Sequence, residues 1–336
     1  MNYREKIPQT MLFKHEYRDG LNRLIKSRQS AMAEKRKEYV KNIFTDQDAY
    51  RNDFRKMLGW PLINCDTRGL PSVKAVKLSD ESGYSIYRMR FEILDGVTMT
   101  GLYFRINGEE KRPLVLVQHG GLGTPELISG FYGDTNNYNR MLERIIAQDV
   151  HAFTPQLLLW DEKYDIPFDR IGIDARLKRV GSSITAVELY GLTKILDYFE
   201  AQDNVSSFGM VGLSYGGFYT LFLSALDKRI RSAISCSFFS TRDEYPWSDW
   251  IWFRSAEKFD DAEIACLVYP RKLCIEIGTK DGLFDVNYGI KSFENLKELC
   301  KDVGTDWLTF IPFDGTHEFC RDDKPITDMV KRLLLD

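Results

Sequence analysis

Phe208-Gly209-Met210-Val211-Gly212-Leu213-Ser214-Tyr215-Gly216-Gly217 is the stretch on which the reading of this chain turns. Its first half is a short apolar run, as expected of a strand buried on both faces. Its second half opens a helical pattern over residues 216–226. Between them, Gly212-Leu213-Ser214-Tyr215-Gly216 fits G-x-S-x-G in the strand-then-helix setting where that pattern presents a nucleophilic serine. Such a turn pushes the serine hydroxyl above the sheet, and a side chain at 212 or 216 would clash with it. The helix that follows offers its N-terminal amides to negative charge developing at the serine. The bland alternative is a chance match in a Gly/Ser loop, and the flanking strand and helix count against it.

Outward from the turn, β and α patterns alternate. Strands are expected at 114–118, 150–154, 208–213, 230–239, 273–277 and 307–313. Helices are expected at 138–148, 182–200, 216–226, 286–302 and 325–335. This rhythm predicts an α/β fold with a mostly parallel, doubly wound sheet. Its ligand site should lie at the carboxyl ends of the strands. Ahead of it, 84–93 and 97–106 read as an antiparallel hairpin joined by Leu94-Asp95-Gly96. Residues 17–44 and 48–58 read as helices, the second stopped by Gly59-Trp60-Pro61. The organisation expected is a helical N-terminal extension over 1–71 and a catalytic α/β domain over 72–336. The extension should pack on the main domain, with a dimer contact as its alternative role.

A serine needs a base, since its hydroxyl is a poor nucleophile near neutral pH. The chain has four histidines: His15, His119, His151 and His317. His15 falls in the extension and His151 starts a strand, so surface and core roles suit them. His317 follows the last strand in Asp314-Gly315-Thr316-His317-Glu318-Phe319, at the sheet edge where ligands bind. The acid that orients the base should lie between Ser214 and His317, at a strand end. Asp281, in Gly278-Thr279-Lys280-Asp281-Gly282, is the favoured choice. Asp285 stands four residues on, and Asp243 and Glu244 follow the preceding strand; each is equally readable as a loop carboxylate or helix cap. An oxyanion hole needs two donors. One is the amide of Tyr215. The other should come from His119-Gly120-Gly121-Leu122-Gly123, from Gly120 or Gly121, with His119 propping the loop. No phosphate-binding glycine pattern is present there. Tyr132, Trp160, Phe168, Trp247, Trp250, Trp252 and Phe253 fall near strand ends, where pocket lining and plain packing are equally good readings.

Composition narrows the classes. Net charge is −3, and the one basic cluster, Lys35-Arg36-Lys37, is flanked by Glu34 and Glu38, so nucleic acid is not an expected partner. No run of 18 apolar residues exists, so no membrane role is expected. The first nine residues carry charge without an apolar run behind them, which predicts no secretory signal and a cytoplasmic protein. The six cysteines show no C-x-x-C spacing, so free buried thiols are expected and zinc is not.

Residues 113–336 resemble the acetyl-xylan-esterase-like and dienelactone-hydrolase-like branch of the α/β-hydrolases. The resemblance rests on His119-Gly120-Gly121, Val180-Gly181-Ser182-Ser183, the serine turn, Tyr269-Pro270-Arg271-Lys272-Leu273, Gly278 to Phe284, and Phe313 to Phe319, in that order. It implies an α/β-hydrolase fold, ester hydrolysis without cofactor or metal, and Asp281 and His317 as the acid and base. Where that family often has prolines, this chain has Gly282 and Asp285. The implied activity is serine-dependent hydrolysis of short-acyl esters of a sugar or small molecule through an acyl-enzyme. Rival readings are a peptidase acting on short peptides, a perhydrolase side reaction, and a non-catalytic binding module. The partner expected is a small-molecule ester, with homo-oligomerisation left open.

Overall fold

The computed structural model describes residues 1–60, 69–94, 96–159, 168–245 and 247–335. The readings that fell on Pro61, Cys65, Asp95 and Trp160 lie outside them. Within the described residues one nine-stranded sheet organises the chain, in the order β1-β2-β3-β5-β4-β6-β7-β8-β9. Strands β1 (Ser72–Asp80), β2 (Tyr84–Leu94) and β3 (Val97–Ile106) form an antiparallel meander, and β3 pairs antiparallel with β5 (His151–Pro155). From β5 onward, β4 (Arg112–Gln118), β6 (Val205–Leu213), β7 (Ile230–Cys236), β8 (Lys272–Gly278) and β9 (Leu308–Phe313) run parallel. The parallel strands read as unbroken apolar runs because both faces are covered. Alternate residues of β4 serve opposite faces: Leu114 and Leu116 join one apolar cluster, Val115 and Val117 the other.

Helix α6 (Ile184–Glu200) packs on the first face, capped by Ser183, whose hydroxyl accepts from the Ala186 amide. Beside it, helix α7 (Tyr215–Leu226) is buried along its whole length, which is why its sequence lacks a polar face. The opposite face is covered by α3 (Pro125–Ile128), α4 (Met141–Ile146) and the amphipathic α10 (Lys324–Leu334).

Several expected boundaries move. Strand β7 stops at Cys236, because Ser237 turns the chain at φ 51°. The helix expected from residue 138 begins only at Met141, after a 3-10 turn (Asn136–Tyr138), since Asn139 and Arg140 are left-handed. Strand β1, α5 (Arg170–Arg179) and α8 (Asp261–Cys266) were not anticipated as separate elements.

At the N-terminus, α1 (Ile7–Tyr39) starts ten residues earlier than expected, and α2 (Gln47–Leu58) follows. Gly59 ends α2 in the left-handed region, and a Cβ there would stand 2.5 Å from the Ser182 backbone. The second helix docks firmly. Phe54 and Leu58 are fully buried, and Arg51 donates to the carbonyl oxygens of Ala225 and Leu267 at the end of α7 and beyond α8. The last turns of α1 are held by Arg36, which pairs with Glu263 at 3.1 Å and Asp260 at 3.4 Å. No residue within α1 itself is buried.

Candidate active site

At the end of β6 the chain turns sharply into α7 through Ser214, which sits at φ 61° and ψ −120°. That is a conformation a non-glycine residue rarely takes, and surrounding contacts must impose it. They do so from both sides. The Ser214 amide donates to the Cys236 carbonyl at 2.9 Å. A Cβ on Gly216 would stand 2.2 Å from the Gln118 carbonyl oxygen, and one on Gly212 would stand 2.3 Å from that of Gly216. The clash expected at both glycines is therefore present, because the elbow is wedged against the end of β4.

The loops after β8 and β9 lie against each other. Thr279 donates its amide to Phe313 at 2.8 Å, and Lys280 donates to Gly315 at 2.9 Å. Gly278 allows this contact, since a Cβ there would stand 2.2 Å from the Thr316 carbonyl oxygen. The result brings Asp281 to His317: Nδ1 of the imidazole donates to Asp281 Oδ2 at 2.8 Å. The other oxygen, Oδ1, accepts the amides of Leu283 at 2.8 Å and Phe284 at 3.0 Å. Burial works to raise the Asp281 carboxyl, but the His317 hydrogen bond and charge and those two amides hold it below the usual carboxylate range. Phe284 stacks on the imidazole, with centroids 5.7 Å apart.

The residue after His317 rests on the elbow's neighbour strand. The Glu318 carbonyl accepts from Cys236 Sγ at 3.4 Å and Ser237 Oγ at 3.3 Å, and Cys236 is the residue that binds the Ser214 amide. The Ser214 amide and the carbonyl of Glu318, the residue after His317, thus meet the same residue, Cys236, at the carboxyl end of β7. The Ser214 hydroxyl itself has no hydrogen bond to another described residue; such bonds commonly shorten only with substrate in place.

The other carboxylates are elsewhere engaged. Asp285 caps α9 (Val286–Leu299) by accepting from the Asn287 amide at 2.8 Å. Asp243 and Glu244 are exposed on a 3-10 turn.

In the loop after β4, the buried His119 binds the Gly120 carbonyl through Nδ1 at 2.9 Å and accepts the Leu157 amide at Nε2, 3.1 Å away. With no room to charge, it is pushed down to about 4 by burial and acts as a strut. His151 likewise accepts the Ile106 amide inside the sheet and is held near 4 by burial. The Gly120 amide donates to the hydroxyl of Tyr138 at 2.8 Å, a contact nothing local in the sequence announces.

Of the aromatic residues, Trp250 and Trp252 are buried packing, while Tyr132, Phe168 and Phe253 are exposed. Trp247 stands beside the site, against Tyr215 and Phe284.

Behind the elbow lies a buried charge network that sequence reasoning missed. Arg170 donates to Asp249 at 2.7 Å, to Glu188 at 3.0 Å and to the Tyr219 hydroxyl at 2.9 Å. The Tyr215 hydroxyl donates to the same Asp249, and the guanidinium lies 5.4 Å from its ring. The residue after Ser214 is therefore clamped from α5, α6 and the segment after β7. Its members lie up to 79 positions apart, so no local motif could have found them.

Five described cysteines are free. Among the described residues no helix is long and apolar enough to cross a membrane, and no three His, Cys, Asp or Glu stand where they could hold a metal ion.

No family model matches the chain, and no curated protein matches it by sequence. Solved structures do. A candidate acetyl xylan esterase from Bacteroides fragilis NCTC 9343 is 15% identical with a TM-score of 0.67, over 88% of this chain and 84% of that one. A glucuronoyl esterase from Solibacter usitatus is 13% identical with a TM-score of 0.61, over 88% and 93%. Acetyl xylan esterase 1 from Thermoanaerobacterium sp. JW/SL YS485 is 15% identical with a TM-score of 0.54, over 88% and 94%. At such identities the likeness speaks for the fold, and the fold of this chain is the α/β-hydrolase fold.

Proposed function

We propose that the chain is a serine-dependent carboxylic ester hydrolase acting on short-acyl esters, acetyl esters of a sugar or small alcohol first among them. The observation that carries the reading is the 2.8 Å hydrogen bond from His317 to Asp281, in a chain that also holds Ser214 in a strained strand-to-helix elbow. With Nδ1 committed to the carboxylate, the neutral imidazole has its Nε2 lone pair available as a base. Ser214 Oγ attacks the ester carbonyl while its proton passes to His317. The Asp281 carboxylate, kept ionised by its donors, steadies the imidazolium. The oxyanion is met by the amide of Tyr215 and by one from the glycine loop. Gly121 is the donor assigned there, because the Gly120 amide already serves Tyr138. His317 then protonates the leaving alcohol, and water repeats the sequence to release the acid. The named esterases of like fold support ester chemistry over amide chemistry.

The test is a p-nitrophenyl ester series from acetate to octanoate beside aminoacyl anilides. Turnover highest on acetate and absent on the anilides is expected. Preference for anilides would favour the peptidase reading, and no turnover on either would favour a binding module.

A further inference from the structure

We infer that the free half of α1 is a self-association arm, and that its apolar stripe pairs with the same helix of a second copy of this chain. At 1.5 Å per residue the part before the docked last turns reaches on the order of 30 Å from the body. Successive residues turn by about 100°, which places Ile7, Phe13, Tyr17, Leu21, Leu24 and Ile25 on one side. They stand open: Phe13 is 64% exposed, Tyr17 72%, Leu24 52% and Ile25 52%. Large side chains along five turns offer on the order of 800 Å², the per-partner area of a standard stable interface. A lone chain seldom leaves so many large apolar side chains open on one side of a helix, even one that cations interrupt. The arm cannot fold back to cover it, because α1 is one continuous helix fixed at its root by Arg36.

The stripe also says what covers it. Phe13, Tyr17, Gly20 and Leu24 follow a four-three-four spacing, the seam of paired helices. Gly20 inside a helix costs about 1 kcal/mol relative to alanine. Within the chain nothing requires it, since a Cβ there would meet only the Arg23 guanidinium at 3.8 Å. Close approach by a second helix does require a notch. A twofold axis lets one self-complementary stripe satisfy both copies. A membrane surface fits less well: Lys14, Arg18 and Arg28 fall within or beside the apolar stripe, whereas surface-lying helices keep their cations on the polar face.

Sedimentation velocity of the full chain at micromolar concentration tests this, with Leu24→Glu and Gly20→Ala beside it. A dimer is expected for the wild type and a monomer of unchanged melting temperature for Leu24→Glu. Gly20→Ala should weaken the dimer about tenfold or more, although it favours the isolated helix. A monomeric wild type, a Leu24→Glu variant that stays dimeric, or a dimer tightened by Gly20→Ala each overturns the proposal. So does a monomeric wild type that co-sediments with anionic phospholipid vesicles, which would assign the stripe to a lipid surface.

Discussion

At the scale of single residues, two carboxylates four positions apart have different work. Asp281 holds the imidazole, and Asp285 caps a helix. Asp281→Asn keeps the shape but loses the charge and the tautomer control, so kcat/KM on p-nitrophenyl acetate should fall on the order of 10⁴-fold. Asp285→Ala should cost about 1 kcal/mol of stability as a lost cap and leave kcat/KM within about threefold. The reverse pattern would exchange their roles. Both were flagged in sequence as candidate acids, with Asp281 favoured, because each follows a strand end; that Asp285 serves as a cap instead was left open there. The choice proposed between Gly120 and Gly121 was not legible there, because it rests on Tyr138, 18 positions on, which takes the Gly120 amide.

At the scale of elements, the elbow is held from behind by the Arg170 network, which ties α5 and α6 to α7 through Tyr215 and Tyr219. Arg170→Met would leave Glu188 and Asp249 buried without their cation. Breaking such a group by one partner costs about 3–5 kcal/mol, to be read from urea unfolding. A loss under about 1 kcal/mol would show that the charges are not coupled as the distances imply. The parallel strands and the long α6 and α7 were readable, because burial on both faces writes continuous apolar runs. Strand β1 was not. It is an edge strand, exposed along most of its length and carrying Lys74 and Lys77, so it lacks the alternation that marks a half-buried strand. Helix α8 escaped notice because six residues are too few to show a period; a capping box from Asp260 and Glu263 fixes it instead.

For the whole molecule, stability should depend on a carboxyl outside the proposed chemistry. Glu276 lies on β8, buried, with Oε2 lacking a partner among the described residues, and burial pushes its carboxyl up to about 7. A raised folded-state value means the native protein holds this proton more tightly than the unfolded chain. Its stabilising effect is full below the unfolded value near 4.3 and is lost as pH rises through about 7, on the order of 4 kcal/mol over that window. Glu276→Gln should flatten the fall in urea midpoint between pH 5 and pH 8; an unchanged slope would place the proton elsewhere. The parallel half of the sheet was legible from the alternation of elements, but the strand order was not, because it depends on which edge each crossover returns to. The reach of α1 was not, since the same charged, periodic pattern suits a docked helix and a free one. The central claim is an activated Ser214, and intact-mass analysis after a fluorophosphonate tests it most directly. Wild type should gain one adduct and Ser214→Ala none. An unlabelled, folded wild type, or equal labelling of both, would contradict it.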